Sequence, residues 1–157
     1  MMQTANPITR ANGFTLIELL IVIGIIGILM AIIVPTYKSS VRKANEASAV
    51  TTLNAIKVAQ AKYVIDHKEQ YGTFKQLFAE GYLDKRFNFD NPNIKGYFFI
   101  ITLIPKSEGK TASYSINANP EQPDGIGASG KNYYYTDPDN GICLSQTGPA
   151  TAADDTL

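Results

Sequence analysis

The sequence has few of the side chains on which enzyme and metal sites depend. Cys143 is the only cysteine in 157 residues, so the chain cannot close an intramolecular disulfide. His67 is the only histidine, which excludes a metal cage built from several imidazoles. No glycine-rich loop is followed by Lys-Ser or Lys-Thr, as a phosphate-binding loop would be. We therefore predict a protein that is not an enzyme.

An excess of one charge is also missing. Fourteen Lys and Arg side chains offset fourteen Asp and Glu side chains, so no global field attracts nucleic acid or acidic lipids. The chain is rich in Tyr and Phe, but these residues are ordinary strand formers and have no basic groove beside them in the sequence. We predict no specific nucleic-acid partner. The length suits one modest domain.

A long apolar run occupies residues 14–34. Thr15 and Glu18 are its only strongly polar residues, and from Leu19 to Val34 every residue is apolar or Gly. At 1.5 Å per residue the run makes about 30 Å of helix, enough to cross a bilayer core. We therefore predict a transmembrane helix over residues 14–35.

Glu18 is the unusual residue of this run. A carboxylate costs roughly 2.5–3.5 kcal/mol at mid-membrane, and no Lys, Arg or His occurs between Arg10 and Lys38. A positive partner must come from a neighbouring molecule or from a new α-amino group made by cutting before the helix. Gly13 is small enough for such a cut, which would leave Phe14 as the amino terminus. The alternative is a simple anchor whose Glu18 stays protonated or lies near the head groups.

Residues 13–18 read Gly-Phe-Thr-Leu-Ile-Glu, and the apolar run after them continues to Pro35. This order resembles the prepilin-type cleavage and methylation motif of type IV pilins and of the pseudopilins of type II secretion. The resemblance covers about residues 13–45. It implies that a prepilin peptidase removes residues 1–13 as a leader and methylates Phe14. It also implies that Glu18 pairs with the Phe14 amine of an adjacent subunit.

The resemblance implies a structural subunit, a major-type pilin, of a type IV pilus. Its partners would be identical subunits, the prepilin peptidase and the pilus assembly machinery. It would be held in the inner membrane before assembly and would then lie in an extracellular filament on the cell surface. One alternative is the major pseudopilin of a type II secretion system, in a periplasmic rod. Another is a single-span membrane protein that never assembles.

Three residues of the apolar segment are candidates for bending. Pro35 removes one backbone hydrogen bond, and Gly24 and Gly27 each cost about 1 kcal/mol relative to Ala. We expect a kink near Pro35 and flexibility at the two glycines. The alternative for the glycines is close helix packing in the membrane.

The helix is predicted to continue as an amphipathic segment over residues 36–67. Its apolar residues fall on two faces: Ala49, Leu53, Ile56 and Tyr63 on one, and Ala47, Val50, Val58, Ala61 and Ile65 on the other. A helix on one core normally needs a single apolar stripe. Two stripes suit a helix that packs on its own domain and on neighbouring subunits. Deep burial in a small domain is the alternative.

Residues 68–147 are predicted to form an α+β globular region. A short helix begins at Phe74 and stops at Gly81, and Asn88–Lys95 is a turn-rich link. Strands are predicted at 97–104, as a buried strand, at 112–117, and at 133–136 and 141–144 as a hairpin, with a long loop at 119–130. Residues 148–157 are predicted to be a mobile tail. The fold class is α+β, with the long N-terminal helix packed on a small antiparallel sheet.

Two further features have a structural and a functional interpretation. Cys143 lies in an apolar strand pattern, which favours a small core residue over a nucleophile. Asp137, Asp139 and Asn140 offer oxygen atoms to a calcium ion, the one candidate cofactor. The sequence Asp-Pro-Asp-Asn-Gly is equally what a tight turn requires, and we favour the turn.

Overall fold

The computed structural model describes residues 13–125 and 127–157, so residues 1–12 of the predicted leader lie outside it. The described chain divides into two compact units, one ending at Tyr37 and the other running from Lys38 to Leu157. Helix α1, Leu16–Asp66, contributes to both. The single long helix predicted from the sequence is therefore confirmed, with its first turn two residues later than expected.

The first unit contains the apolar part of α1. Among the described residues, α1 alone is long and apolar enough to cross a membrane, and the side chains of its apolar segment are not buried. The helix continues through Pro35, and the Thr36 hydroxyl donates to the Ile32 carbonyl oxygen at 3.1 Å. A kink at Pro35 stays a prediction.

The second unit is built around the later part of α1. Of the two predicted stripes, the one formed by Ala49, Leu53, Ile56 and Tyr63 is buried. Ala49, Leu53 and Ile56 share a core cluster with sheet residues such as Tyr97 and Ile116. An amphipathic helix gains most of its stability from this kind of packing. This stripe therefore fixes α1 to its own domain.

Two short helices follow α1. Helix α2, Phe74–Ala79, begins with a capping box in which Thr73 and Gln76 each bond the other's backbone N–H. Gly81, with φ 78°, takes the left-handed conformation expected just past a helix end. A 3₁₀ turn at Lys85–Phe87, which was not predicted, places Phe87 in the core.

Six antiparallel strands form one sheet in simple sequential order. They are β1 Asn93–Ile94, β2 Tyr97–Ile104, β3 Ser113–Pro120, β4 Tyr133–Thr136, β5 Cys143–Ser145 and β6 Asp155–Thr156. The bounds of β2 and β4 match the prediction. Strand β3 is longer than predicted because Ala118, Asn119 and Pro120 pair with Phe99, Phe98 and Tyr97. The α+β fold class is confirmed.

Two expectations about the sheet are only partly correct. Strand β2 is buried on one face only: Tyr97 and Phe99 face the core, whereas Phe98 and Ile100 are each 37% exposed. The expected turn-rich link before it contains β1, which pairs with the first two residues of β2. An apolar run does not distinguish one buried face from two.

The C-terminal residues also differ from the sequence-based expectation of a mobile tail over residues 148–157. Strand β6 pairs with β5, and the N–H of Leu157 donates to the Ile142 carbonyl oxygen at 2.8 Å. Ala150 is buried, and its carbonyl oxygen accepts from the Asn117 amide at 2.8 Å. This segment is part of the sheet because it satisfies backbone groups of β5 and a side chain of β3.

Candidate assembly site

Glu18 lies in the first turn of α1, where it takes part in a second capping box. The backbone N–H and the hydroxyl of Thr15 both donate to Glu18 Oε2, at 2.8 and 2.7 Å. In return, the N–H of Glu18 donates to Thr15 Oγ1 at 3.3 Å. Thr15 is thus the N-cap and Glu18 the third residue of the helix. This role for Thr15 was missed, although the Thr-x-x-Glu spacing before an apolar run is its sequence signal.

The capping box does not neutralise the carboxylate. Both of its donors are neutral groups, and the described residues 13–37 include no Lys, Arg or His. Neither donor bonds to Glu18 Oε1. One oxygen is therefore held by the cap, while the other remains available to an external cation.

Gly13 and Phe14 precede α1. Phe14 is 82% exposed, and no heavy atom lies within 4 Å of the position that a Cβ on Gly13 would take. The peptide bond between them therefore lies outside regular secondary structure and next to a side chain that the other described residues leave exposed. This is the geometry that a peptidase substrate needs, and cleavage and methylation here stay predictions.

The lateral surface of the apolar segment is open. Its large apolar side chains from Leu16 to Val34 are between 39% and 82% exposed, and a Cβ at Gly24 or Gly27 would meet nothing within 4 Å. Such a surface must be covered by lipid or by other helices. Both interpretations of the glycines, flexibility and close packing, stay predictions.

The second predicted stripe of α1 is largely exposed. Val58 is 55% and Ile65 is 80% exposed, while Val50 is partly buried against the core. The exposed ridge, defined as Ala47, Thr51, Asn54, Val58, Ala61 and Ile65, carries no charged residue. Because these positions repeat every three or four residues, they lie along one side of the helix. The alternative of a helix buried on both faces is therefore wrong.

The candidate calcium residues lie together in the turn between β4 and β5. Asp137 Oδ1 accepts from the N–H groups of Asp139 and Asn140 at 2.9 and 2.6 Å, and Oδ2 accepts from the Asn140 amide and the Tyr135 hydroxyl at 2.8 and 3.0 Å. Burial alone would raise the pKa of Asp137, but these hydrogen bonds, led by those from Asn140, hold it below its usual range. The turn is confirmed.

Calcium binding at this turn stays a prediction. The described residues contain no group of three or more His, Cys, Asp or Glu side chains placed to hold a metal ion. Lys57 Nζ donates to the Asn140 carbonyl oxygen at 2.8 Å, so a cation already occupies one oxygen of the turn. A calcium ion would need several carboxylate and carbonyl oxygens that point at one position.

His67 and Cys143 have structural environments. The His67 ring stacks on Tyr63 with centroids 3.8 Å apart, and its Nε2 lies 3.1 Å from a Glu80 oxygen. Cys143 is 1% exposed, and its Sγ lies 3.8 Å from the Thr156 hydroxyl. The prediction that Cys143 is a core residue is confirmed.

The fold and the N-terminal geometry define a class of protein: a chain with an α+β domain and an exposed membrane-length helix that carries one capped carboxylate. A family model described as a prokaryotic N-terminal methylation motif matches residues 8–34. These residues include Gly13, Phe14 and Glu18, on which the resemblance to pilins depends.

Several relatives have pilin names. The chain is 42% identical over 69 residues to a type IV major pilin protein PilA of Myxococcus xanthus, covering 44% of this chain and 30% of that one. It is 47% identical over 70 residues to the type IV narrow pilus major component PilA5 of Thermus thermophilus, covering 45% and 60%. The wide pilus major component PilA4 of the same organism is 46% identical over 72 residues, covering 46% and 55%. The chain is therefore similar to type IV pilins over less than half of its own length.

The chain therefore matches between 30% and 60% of the length of these three relatives. All three names describe pilins or pilus components. None of the three names is that of a type II secretion pseudopilin.

Proposed function

We propose that this protein is the structural subunit of a type IV pilus filament. The main support for this proposal is the exposed apolar surface of α1 up to Val34. One carboxylate, Glu18, interrupts this surface near its start and has no cationic partner among the described residues. An isolated subunit keeps this surface in the inner membrane. In a filament, the same surface is covered by the helices of identical neighbours, where packing supplies most of the cohesion.

The first step is processing of the chain. The prepilin peptidase cuts between Gly13 and Phe14 and methylates the new Phe14 amine. The openness of Gly13 and the exposure of Phe14 support this step. The cut provides the positive charge that the segment otherwise lacks.

The second step is docking. The Phe14 amine of one subunit pairs with Glu18 of the next, in an apolar setting where the attraction is stronger than in water. The capping box supports this role because it fixes the Glu18 carboxylate through Oε2 before the partner arrives. A preorganised acceptor loses less side-chain freedom on pairing.

The exposed ridge supports assembly as well. It is an uncharged surface of the second unit, with Val58 and Ile65 as its largest exposed side chains. A single-span protein that never assembles would leave this ridge in water. Packing of the ridge on a neighbouring subunit gives it a partner, and the pilus assembly machinery would bring that neighbour into place.

The test is to shear filaments from cells that express this chain and to measure the intact mass of the protein in them. We expect a mass that lacks residues 1–13 and includes one added methyl group, in long filaments on the cell surface. Processed protein that stays in the envelope with no shed filaments would favour the pseudopilin alternative. Unprocessed protein would leave a membrane anchor and contradict the proposal.

A further inference from the structure

Three cations follow the apolar segment closely: Lys38, Arg42 and Lys43, named here the basic collar. No acidic residue occurs between Glu18 and Glu46, so this part of the chain is strongly positive although the whole chain has no net charge. We propose that the basic collar binds the phosphate head groups of anionic phospholipids while the subunit is held in the membrane.

The collar covers an arc of about 140° of the helix circumference. Lys38 and Arg42 are four residues apart and lie on the same side of α1. Lys43 lies about 100° further round the helix axis. Lys38 and Lys43 are exposed, and Arg42 is half-buried. Head groups can therefore approach the collar from more than one direction.

The protein itself does not neutralise the collar. The four ion pairs of the described residues involve His67, Lys75, Arg86 and Lys106, and none of them includes a collar residue. Arg42 donates one hydrogen bond, to the neutral carbonyl oxygen of Gly125 at 3.0 Å. A guanidinium has five N–H donors, so this bond orients Arg42 and leaves most of its donors for a phosphate.

Two carboxylates belong to the surroundings of the collar. Glu46, one turn after Arg42, accepts from the Lys131 N–H at 2.8 Å and from the Asn132 amide at 3.2 Å, so its oxygens are bonded to the loop before β4. Asp124 is exposed and adjoins Gly125 in the sequence. One exposed carboxylate does not balance three cations, and the collar keeps a positive excess.

A bilayer surface is the partner that fits this excess. Lys38 follows the apolar run by four residues, so the chain emerges there from the hydrocarbon into the head-group layer. Tyr37, directly before it in sequence, is 68% exposed, and Tyr is enriched at this depth of membranes. Each Lys or Arg near an anionic surface strengthens binding severalfold. A lipid-binding role also explains basic residues at the end of the span opposite Arg10, where the positive-inside rule disfavours them.

The test uses the full chain in nanodiscs that contain equal amounts of phosphatidylglycerol and phosphatidylcholine. Native mass spectrometry of the released protein counts the lipids of each kind that remain bound. We expect wild type to retain phosphatidylglycerol about tenfold over phosphatidylcholine. Lys38→Gln, Arg42→Gln and Lys43→Gln together should reduce this preference to near unity, and 1 M salt should weaken it in wild type.

Two variants make the result specific to the collar. The matched control, Lys62→Gln, Lys85→Gln and Lys110→Gln, removes the same charge from exposed positions elsewhere and should retain the preference. The double variant Lys38→Gln with Lys43→Gln leaves the Arg42–Gly125 bond intact. It should lose most of the preference for phosphatidylglycerol. The proposal is overturned if wild type shows no preference, if the triple collar variant matches wild type, or if the control loses as much. The assay needs only the membrane span, so it succeeds or fails independently of filament assembly.

Discussion

Thr15 and Glu18 form a reciprocal pair at the start of α1, with the Thr15 N–H 2.8 Å from Glu18 Oε2 and the Glu18 N–H 3.3 Å from Thr15 Oγ1. Glu18 therefore has two separable properties. As an acceptor it completes a helix cap, which a neutral amide can also do. As a charge it attracts the amine that we propose it binds in a neighbouring subunit.

Substitution of Glu18 separates these two properties. Glu18→Gln keeps the cap because Gln serves equally in a capping box, but it removes the charge. Glu18→Ala removes both and costs roughly 1 kcal/mol of helix stability. We expect both variants to be processed normally and neither to form filaments, as measured by shearing and electron microscopy. The charge pairing would be wrong if Glu18→Gln assembled like wild type.

Thr15→Ala is the companion variant. It removes the hydroxyl donor and the N-cap oxygen but leaves the Thr15 N–H and the charge of Glu18 in place. We expect filaments in reduced number, because the carboxylate is less well oriented. Loss of assembly as complete as in Glu18→Ala would mean that the helix cap is the essential property.

Gly13→Arg tests the position of the cut. We expect the precursor to accumulate in the membrane uncut, because the peptidase requires a small residue before the bond. No atom lies near the Gly13 Cβ position, so the substitution leaves the fold undisturbed. Gly13→Ala is the control and should be processed at least in part. Intact mass decides the result, and a mature-length Gly13→Arg product would place the cut elsewhere.

Charged substitutions on the exposed ridge test its contact with neighbours. Val58→Lys and Ile65→Lys place charges on a surface that we propose is covered in the filament. We expect filament yield to fall strongly, because the charge loses its water there. The free energy of unfolding should change by no more than about 0.5 kcal/mol, because both residues are exposed in the subunit.

Two other variants calibrate this result. Phe89→Lys makes the same chemical change at a residue 63% exposed and outside α1, and it should leave filament yield near wild type. Leu53→Ala, in the buried stripe, should reduce stability by about 2–5 kcal/mol. If the ridge variants assembled normally, the ridge would not be an interface between subunits.

We expect the free energy of unfolding to fall in alkali, because several tyrosine hydroxyls have raised pKa values in the folded protein. Burial raises the pKa of Tyr114 to about 12, and burial together with the bond to Asp137 raises that of Tyr135 to about 12. Burial also raises the pKa of Tyr97. An unfolded tyrosine ionises near pH 10, so the folded state holds these protons more tightly. Their contribution is fully present below about pH 10 and is lost as the pH rises through about 12.

The measurement is a titration of tyrosinate absorbance alongside circular dichroism in the same samples. We expect part of the tyrosine signal to appear only as the structure is lost above pH 10. If all nine tyrosines ionised near pH 10 with the fold intact, the burial of these hydroxyls would not hold in solution.

Local patterns predicted the parts of the fold that depend on local sequence. The apolar run and the uninterrupted helical composition gave α1 to within two residues at its start, and β2 and β4 matched because their strand-forming residues are contiguous. The prediction of which face of α1 is buried was also correct. Each of these depends on spacing within a few residues.

Other parts depend on distant partners. Strand β6 contains only Asp155 and Thr156, whose composition indicates no strand, and it exists because β5 offers a free edge. The half-exposed state of β2 depends on what covers each face of the sheet. The helix cap formed by Thr15 and Glu18 does not depend on a distant partner. Its Thr-x-x-Glu spacing is local and could have been recognised in the sequence. The trans pairing of Glu18 involves a second chain, so no contact within one subunit reveals it.

The last strand of the sheet is held by backbone pairing and by packing around Cys143, without a covalent link. The fold consequently needs no disulfide. No disulfide has to form before the domain is complete, and none can be reduced afterwards to open it. A filament of such subunits depends on neither an oxidising folding compartment nor an oxidising environment, because its C-terminal region closes by the same hydrogen bonds under either condition.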